Sequence, residues 1–176
     1  MKYLSFLLII GLLLAGCSSA GSTSEKKKEL TKKEKQEIIL DFVNEDTKKA
    51  SDYEVEAFQS LGSVSGENYT DDKTLYDELV NKTMPAYKKA VDAAKDIKPK
   101  MKELEGPTDK IVKASETFYK ALELEKEALE KSDKEIIQKS NDKMKEYQDI
   151  IADYHKEMEK VTKKYNVDYE PRKTQP

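Results

Sequence analysis

The chain has 176 residues, enough for one domain with its own core and too few for two comfortable ones. Charged residues make up 38% and hydrophobic ones 37%, with no Trp and ten Tyr, so periodicity must separate a solvated helical bundle from a disordered chain. Lys+Arg total 32 against 35 Asp+Glu, interleaved to a net charge of −3; this excludes a basic face for nucleic acid, and a lone Cys excludes an internal disulfide or a thiolate zinc site.

In chain order, Lys2 and the amino terminus form a short positive region, and residues 3–15, "YLSFLLIIGLLLA", carry no charge. The run is shorter than the roughly 18–20 apolar residues of a spanning helix and suits the apolar core of a signal peptide. It closes on Leu14-Ala15-Gly16-Cys17. These four residues resemble the lipobox of bacterial lipoproteins. The resemblance implies that a diacylglycerol is attached to the Cys17 thiol, that cleavage falls between Gly16 and Cys17, and that residues 1–16 are removed. It covers about twenty residues and implies nothing about the domain behind them. Two acyl chains at about 0.8 kcal/mol per buried methylene anchor a protein stably, where one chain holds only reversibly. The expected partner on this account is the membrane, and the expected location is its extracytoplasmic face. Residues 17–31 then form the lipidated Cys and a polar tether, first rich in Ser and Gly and then basic. As a flexible coil the tether spans roughly 20 Å.

From residue 32 onward a period of 3.5–3.6 recurs and no strand-length alternation of period two is present. The first predicted helix covers residues 32–61, with Ile39, Phe42, Val43, Tyr53, Ala57, Phe58 and Leu61 on its inner face and a weak middle, "NEDTKKA". The Gly/Ser loop "GSVSGENYT" follows. Residues 72–105 read as a second helix kinked at Pro85 and Pro99, or broken at Thr83-Met84. Residues 108–131 form a third, capped by Thr108 after Gly106-Pro107 ends the helix upstream, with Ile111, Ser115, Phe118, Leu122 and Leu129 in a seam that also holds Glu125. The fourth, residues 133–165, has the clearest seam: Ile137, Ser140, Met144, Tyr147, Ile151, Tyr154, Met158, Val161 and Tyr165. Ser132 with Glu135 makes a capping box before it, Asn166 a stop after it, and residues 166–176 a frayed tail. The predicted fold is all-α: an antiparallel bundle of four long helices over residues 32–165, behind the tether. A three-helix bundle with residues 32–61 docked loosely or swapped between chains is the alternative.

Candidate chemistry is sparse. His155 has no nucleophile or carboxylate placed to orient it, and position 152 is Ala where a carboxylate-bridged metal site needs Glu, so neither a catalytic residue nor a metal or cofactor is expected. Glu125, a carboxylate in an apolar seam, should be protonated, paired or at the bundle's edge. Tyr147, Tyr154 and Tyr165 read as core, with hydroxyls reaching the rim. In an up-down-up-down bundle the 62–71 loop lies at the end away from the tether, which makes Gly66, Asn68 and Tyr69 the candidate recognition loop. The expected function is a membrane-anchored, non-catalytic protein-interaction or scaffold module at the cell envelope, meeting an envelope protein or cell-wall partner. The alternatives are a passive cell-wall-associated spacer and a small-ligand binder with a tyrosine-lined cleft between helices. A pocket where Glu125 and a tyrosine hydroxyl converge would mark the last.

Overall fold

A computed structural model of the protein describes residues 29–171; the expected signal peptide, Gly16, Cys17 and the tether up to residue 28 lie outside the described residues. The described chain is helical throughout its ordered elements and holds no strand. Among these residues no helix is long and apolar enough to cross a membrane.

Helix α1 (Lys32–Asp41) starts on a capping box: Thr31 Oγ1 accepts from the Glu34 amide at 3.2 Å, and Glu34 Oε2 accepts from the Thr31 amide at 2.7 Å. It passes through a π-turn, Phe42–Asp46, into α2 (Lys48–Gly62). The weak "NEDTKKA" segment thus becomes a local widening of one long helix rather than a break. Ile39, Phe42 and Ala57 are fully enclosed, so this arm is an integral member of the bundle and is not loosely docked. After a short 3₁₀ turn at Gly66–Asn68, α3 (Asp72–Glu78) begins under an Asp71 cap that accepts from the Thr74 amide at 2.9 Å.

A second π-turn, Leu79–Thr83, joins α3 to α4 (Met84–Lys95). It lies immediately upstream of Pro85, where the Met84 amide bonds to Leu79 O. Proline lacks the donor that would continue the normal ladder, and the wider turn absorbs the mismatch without a break. Pro99 acts differently from the expected kink. The helix has already ended at Lys95, and residues 97–101 form an irregular connection that lays Ile97 and Met101 into the core. Gly106-Pro107, expected to end the helix upstream, instead lies in the first turn of α5 (Glu105–Lys131), where a missing N–H costs nothing. Thr108 is therefore no cap; its hydroxyl donates to Leu104 O at 2.8 Å inside the helix.

Ser132 takes a left-handed conformation (φ 53°) that closes α5, and Asp133 caps α6 (Lys134–Tyr165) by accepting from the Glu135 and Ile136 amides. The capping role falls to Asp133, one residue after the expected Ser132, because Ser132 is spent on the turn. Asn166 ends α6, also left-handed (φ 58°), as expected. The long α5–α6 hairpin is completed by α4 against α5, α2 against α4, and α1 against α6. The result is a closed up-down-up-down ring of four arms. Gln36 Nε2 donates to Tyr165 O at 2.7 Å, joining the start of α1 to the end of α6.

The interior is divided along the bundle axis. Toward the 62–71 turn, Phe58, Tyr87, Phe118 and Tyr147 form one aromatic cluster with ring centroids 4.6–6.3 Å apart. Toward the tether end, Ile39, Phe42, Leu104, Met158 and Val161 fill a second core, and Val167 and Tyr169, in the segment expected to fray, pack on that core. Between the two lies a waist of small residues, Ala50, Ala93 and Ala94.

Candidate functional site

Small side chains at the waist leave a cavity of about 100 Å³ between the arms. Val43 and Thr47, at the first π-turn, line it from one side; Ala50, Ala90, Ala94 and Ala114 form much of its wall. The carboxylate of Glu54 also lines it. Glu54 sits on the inner face of α2 because Ala50, Glu54, Ala57 and Leu61 follow steps of four, three and four, and side chains at that spacing stack on one helix face.

Two tyrosine hydroxyls meet this carboxylate. Tyr147 Oη donates to Glu54 Oε1 at 2.7 Å from α6, and Tyr87 Oη donates to the same oxygen at 3.0 Å from α4. Three arms of the bundle therefore converge on one oxygen. The rings of both tyrosines belong to the aromatic cluster, so the hydroxyls are held by packing before they reach Glu54. Burial pushes the Glu54 carboxyl above its ordinary value, and the Tyr147 and Tyr87 bonds pull it part of the way back. Burial beside Glu54 drives the Tyr87 phenol well above the usual tyrosine range, so it remains a donor at any physiological pH. Among the described residues Glu54 has no lysine or arginine in an ion pair, and no Lys or Arg lines the cavity.

The far wall of the cavity is made by Ile111, Ile151, Tyr154 and His155, with Tyr169 and Glu170 of the returning C-terminal segment. His155 Nδ1 and Tyr169 Oη share a 2.6 Å hydrogen bond, and burial lowers the imidazole below its ordinary pKa. His155 is a boundary residue, as its sequence context suggested, but it borders the cavity.

The residues singled out from sequence are distributed unevenly. Glu125 is half-buried on α5 near Ser140, whose hydroxyl donates to Ala121 O at 2.9 Å; burial raises the Glu125 carboxyl, and it does not line the cavity. The convergence of carboxylate and tyrosine is present in the bundle, but it is built on Glu54. Tyr147 departs from the expectation of a rim hydroxyl: its Oη points inward. In the candidate recognition loop, Gly66 adopts φ +57°, Asn68 Nδ2 donates to Gly62 O at 2.8 Å, and Tyr69 Oη donates to Asp72 Oδ1 at 2.7 Å. Tyr69 is 47% exposed, and the loop is a turn held mostly by its own bonds. Glu54 was legible as a carboxylate on an alanine-rich helical face, yet nothing in the linear pattern separated it from the many glutamates on outer faces.

Compared with protein-family models, with curated proteins and with solved structures, the chain matches none.

Proposed function

We propose that this protein is a lipoprotein held at the extracytoplasmic face of the cell membrane by a diacylglycerol on Cys17, and that its helical bundle binds a small solute in the cavity at its waist without chemical turnover. One observation carries the binding reading: the Glu54 carboxylate lies in a cavity lined by small and aliphatic residues together with Thr47, Ser51, Ser115, Tyr154, His155, Tyr169 and Glu170, and tyrosine hydroxyls from two other arms fix its orientation. Burying that carboxylate opposes folding, and such a liability is most often kept where a site uses it. Binding rather than catalysis is inferred because the two groups bonded to Glu54 are phenols, one of them driven well above the ordinary tyrosine pKa, and neither exchanges protons readily near neutral pH.

The test is a thermal-shift screen of small metabolites against the wild type and Glu54→Gln. A ligand present at a hundred times its Kd stabilises the native state by about 2.7 kcal/mol. Hits that raise the wild-type midpoint and fail on Glu54→Gln support the reading; a screen in which no compound shifts the wild type refutes it. Anchoring is tested separately by mass spectrometry of the membrane fraction, where an intact Met1 terminus with a free Cys17 thiol refutes it.

A second reading, a scaffold or interaction module facing an envelope protein or cell-wall partner, is favoured by Tyr69, which stands exposed at the end of the bundle opposite Thr31. Crosslinking from that turn on intact cells, with Tyr69→Ala as the control, separates it from a passive spacer.

A further inference from the structure

We infer that the ligand of the waist cavity is a small organic cation, a primary ammonium on a short aliphatic body. The inference rests on the solute-binding reading above and adds the charge and shape of the solute.

Charge complementarity carries the argument. Among the described residues no Lys or Arg lines the cavity, whereas two carboxylates do, Glu54 and Glu170. Lysines on the neighbouring turns are engaged elsewhere: Lys48 of α2 pairs with Asp52 on the surface, and Lys89 of α4 lies 5.5 Å over the ring of Tyr53. Both tyrosine hydroxyls land on Oε1 of Glu54, so the anion is oriented yet not neutralised by them. Where Glu54 is ionised, its carboxylate disfavours an anionic guest by direct repulsion. It favours a cation, because the attraction acts across a medium of low dielectric.

Shape sets the rest. Much of the lining is aliphatic, Ala50, Ala90, Ala94, Ala114, Ile111 and Ile151, with the hydroxyls of Thr47, Ser51 and Ser115 among it. An apolar cavity of about 150 Å³ takes benzene, so about 100 Å³ suits a guest of about five heavy atoms. Beside these residues stand Tyr154 and Tyr169, the latter occupied by His155. The ammonium end meets Glu54, and the alkyl end meets the alanines.

The experiment is isothermal titration of the full lipidated protein in detergent micelles with n-butylammonium, n-butanol and butyrate, on the wild type, Glu54→Gln and Ala50→Leu. n-Butanol matches the cation in heavy atoms and hydrogen-bonding reach without its charge. The expected result is that n-butylammonium binds the wild type at least tenfold more tightly than n-butanol, that butyrate does not bind, and that Glu54→Gln abolishes the preference. Ala50→Leu fills the cavity from α2 while leaving the carboxylate in place, and it should abolish binding even if Glu54→Gln folds poorly by circular dichroism. Equal affinity for n-butanol and n-butylammonium overturns the cation inference and leaves the solute-binding reading standing. Cation binding that survives both substitutions belongs to surface carboxylates and overturns the inference. Absence of binding by all three probes overturns both.

Discussion

Tyr147→Phe removes a single oxygen atom from the waist of the bundle and leaves the aromatic ring packed as before. The lost group donates at 2.7 Å to Glu54 Oε1, within the short range typical of an O–H···O⁻ bond. A hydrogen bond to a charged acceptor contributes about 1.5–3 kcal/mol, and a neutral one about 0.5–1.5 kcal/mol. The cost of Tyr147→Phe is therefore expected to be about 2–3 kcal/mol where Glu54 is ionised and about 1 kcal/mol where it is protonated. Tyr87→Phe, at 3.0 Å, should follow the same pattern at the lower end of each range.

The sign of the pH dependence follows from linkage. Burial raises the Glu54 carboxyl in the folded state, and the tyrosine hydroxyls offset part of that rise. Without Tyr147 the folded carboxyl is raised further, so the variant's native state keeps its proton to higher pH than the wild type's. Stability depends on pH through the protons bound by the unfolded state less those bound by the native state. The variant therefore loses stability relative to the wild type as pH rises through the titration of Glu54, and the difference levels off once both native states are ionised. Urea unfolding followed by circular dichroism at a series of pH values from 4 to 9 measures the difference, because a 2 kcal/mol loss moves the midpoint by about 1 M. The same substitution in the Glu54→Gln background should cost about 1 kcal/mol at every pH. A pH-independent cost in the wild-type background, or an undiminished cost in the Glu54→Gln background, refutes the charged hydrogen bond as its source.

Three further outcomes are expected. Phe118→Ala, which empties a fully enclosed ring position touching Phe58, Tyr87 and Tyr147, should cost about 3–5 kcal/mol in urea unfolding, against about 1 kcal/mol for Phe118→Leu. Glu103, held to about 2 by the Tyr165 hydroxyl and Lys164, contributes stability above the ordinary carboxylate range that is lost as pH falls toward 2; Glu103→Gln should be less stable than the wild type at pH 7, by about 1 kcal/mol, with the gap closing between pH 4.5 and 2. Ser132→Gly should raise the thermal midpoint, by about 0.5–1 kcal/mol in stability, because a left-handed backbone suits glycine, whereas Asp133→Ala should lower it by about 1 kcal/mol through loss of the α6 cap.

Helical periodicity by itself determined the fold class, the four arms and most of the core. A seam repeated every 3.5 residues over nine positions has one economical solution, burial against partner helices, and six of those nine positions in α6 are buried and two more partly buried, by the same logic that selected them from the sequence. The exceptions are at the level of one residue: Ile136 takes the inner position assigned to Ile137, and Ile150 is buried more deeply than Ile151, since a straight helix drifts from a strict heptad. Left-handed Asn166 was equally readable, because asparagine tolerates that backbone where a branched residue does not. Turn chemistry was less so. Ser132 and Asp133 both qualify as caps, and the choice between them depends on which one must bend left-handed to bring α6 back along α5.

Only the tertiary structure decided the site. Glu54, Tyr87 and Tyr147 are far apart in the chain, and nothing local distinguishes Glu54 from a solvated glutamate; the convergence exists because α2, α4 and α6 each present an inner face at the same height of the bundle. The cavity has the same origin. Alanine on one helix permits close approach, but three arms that carry small residues around one cavity, beside a π-turn that widens α1–α2, leave space that no single segment encodes. Periodicity is a property of each helix and can be read one segment at a time. Register between helices is a property of the assembled bundle, and the buried carboxylate with its two hydroxyl donors depends on that register.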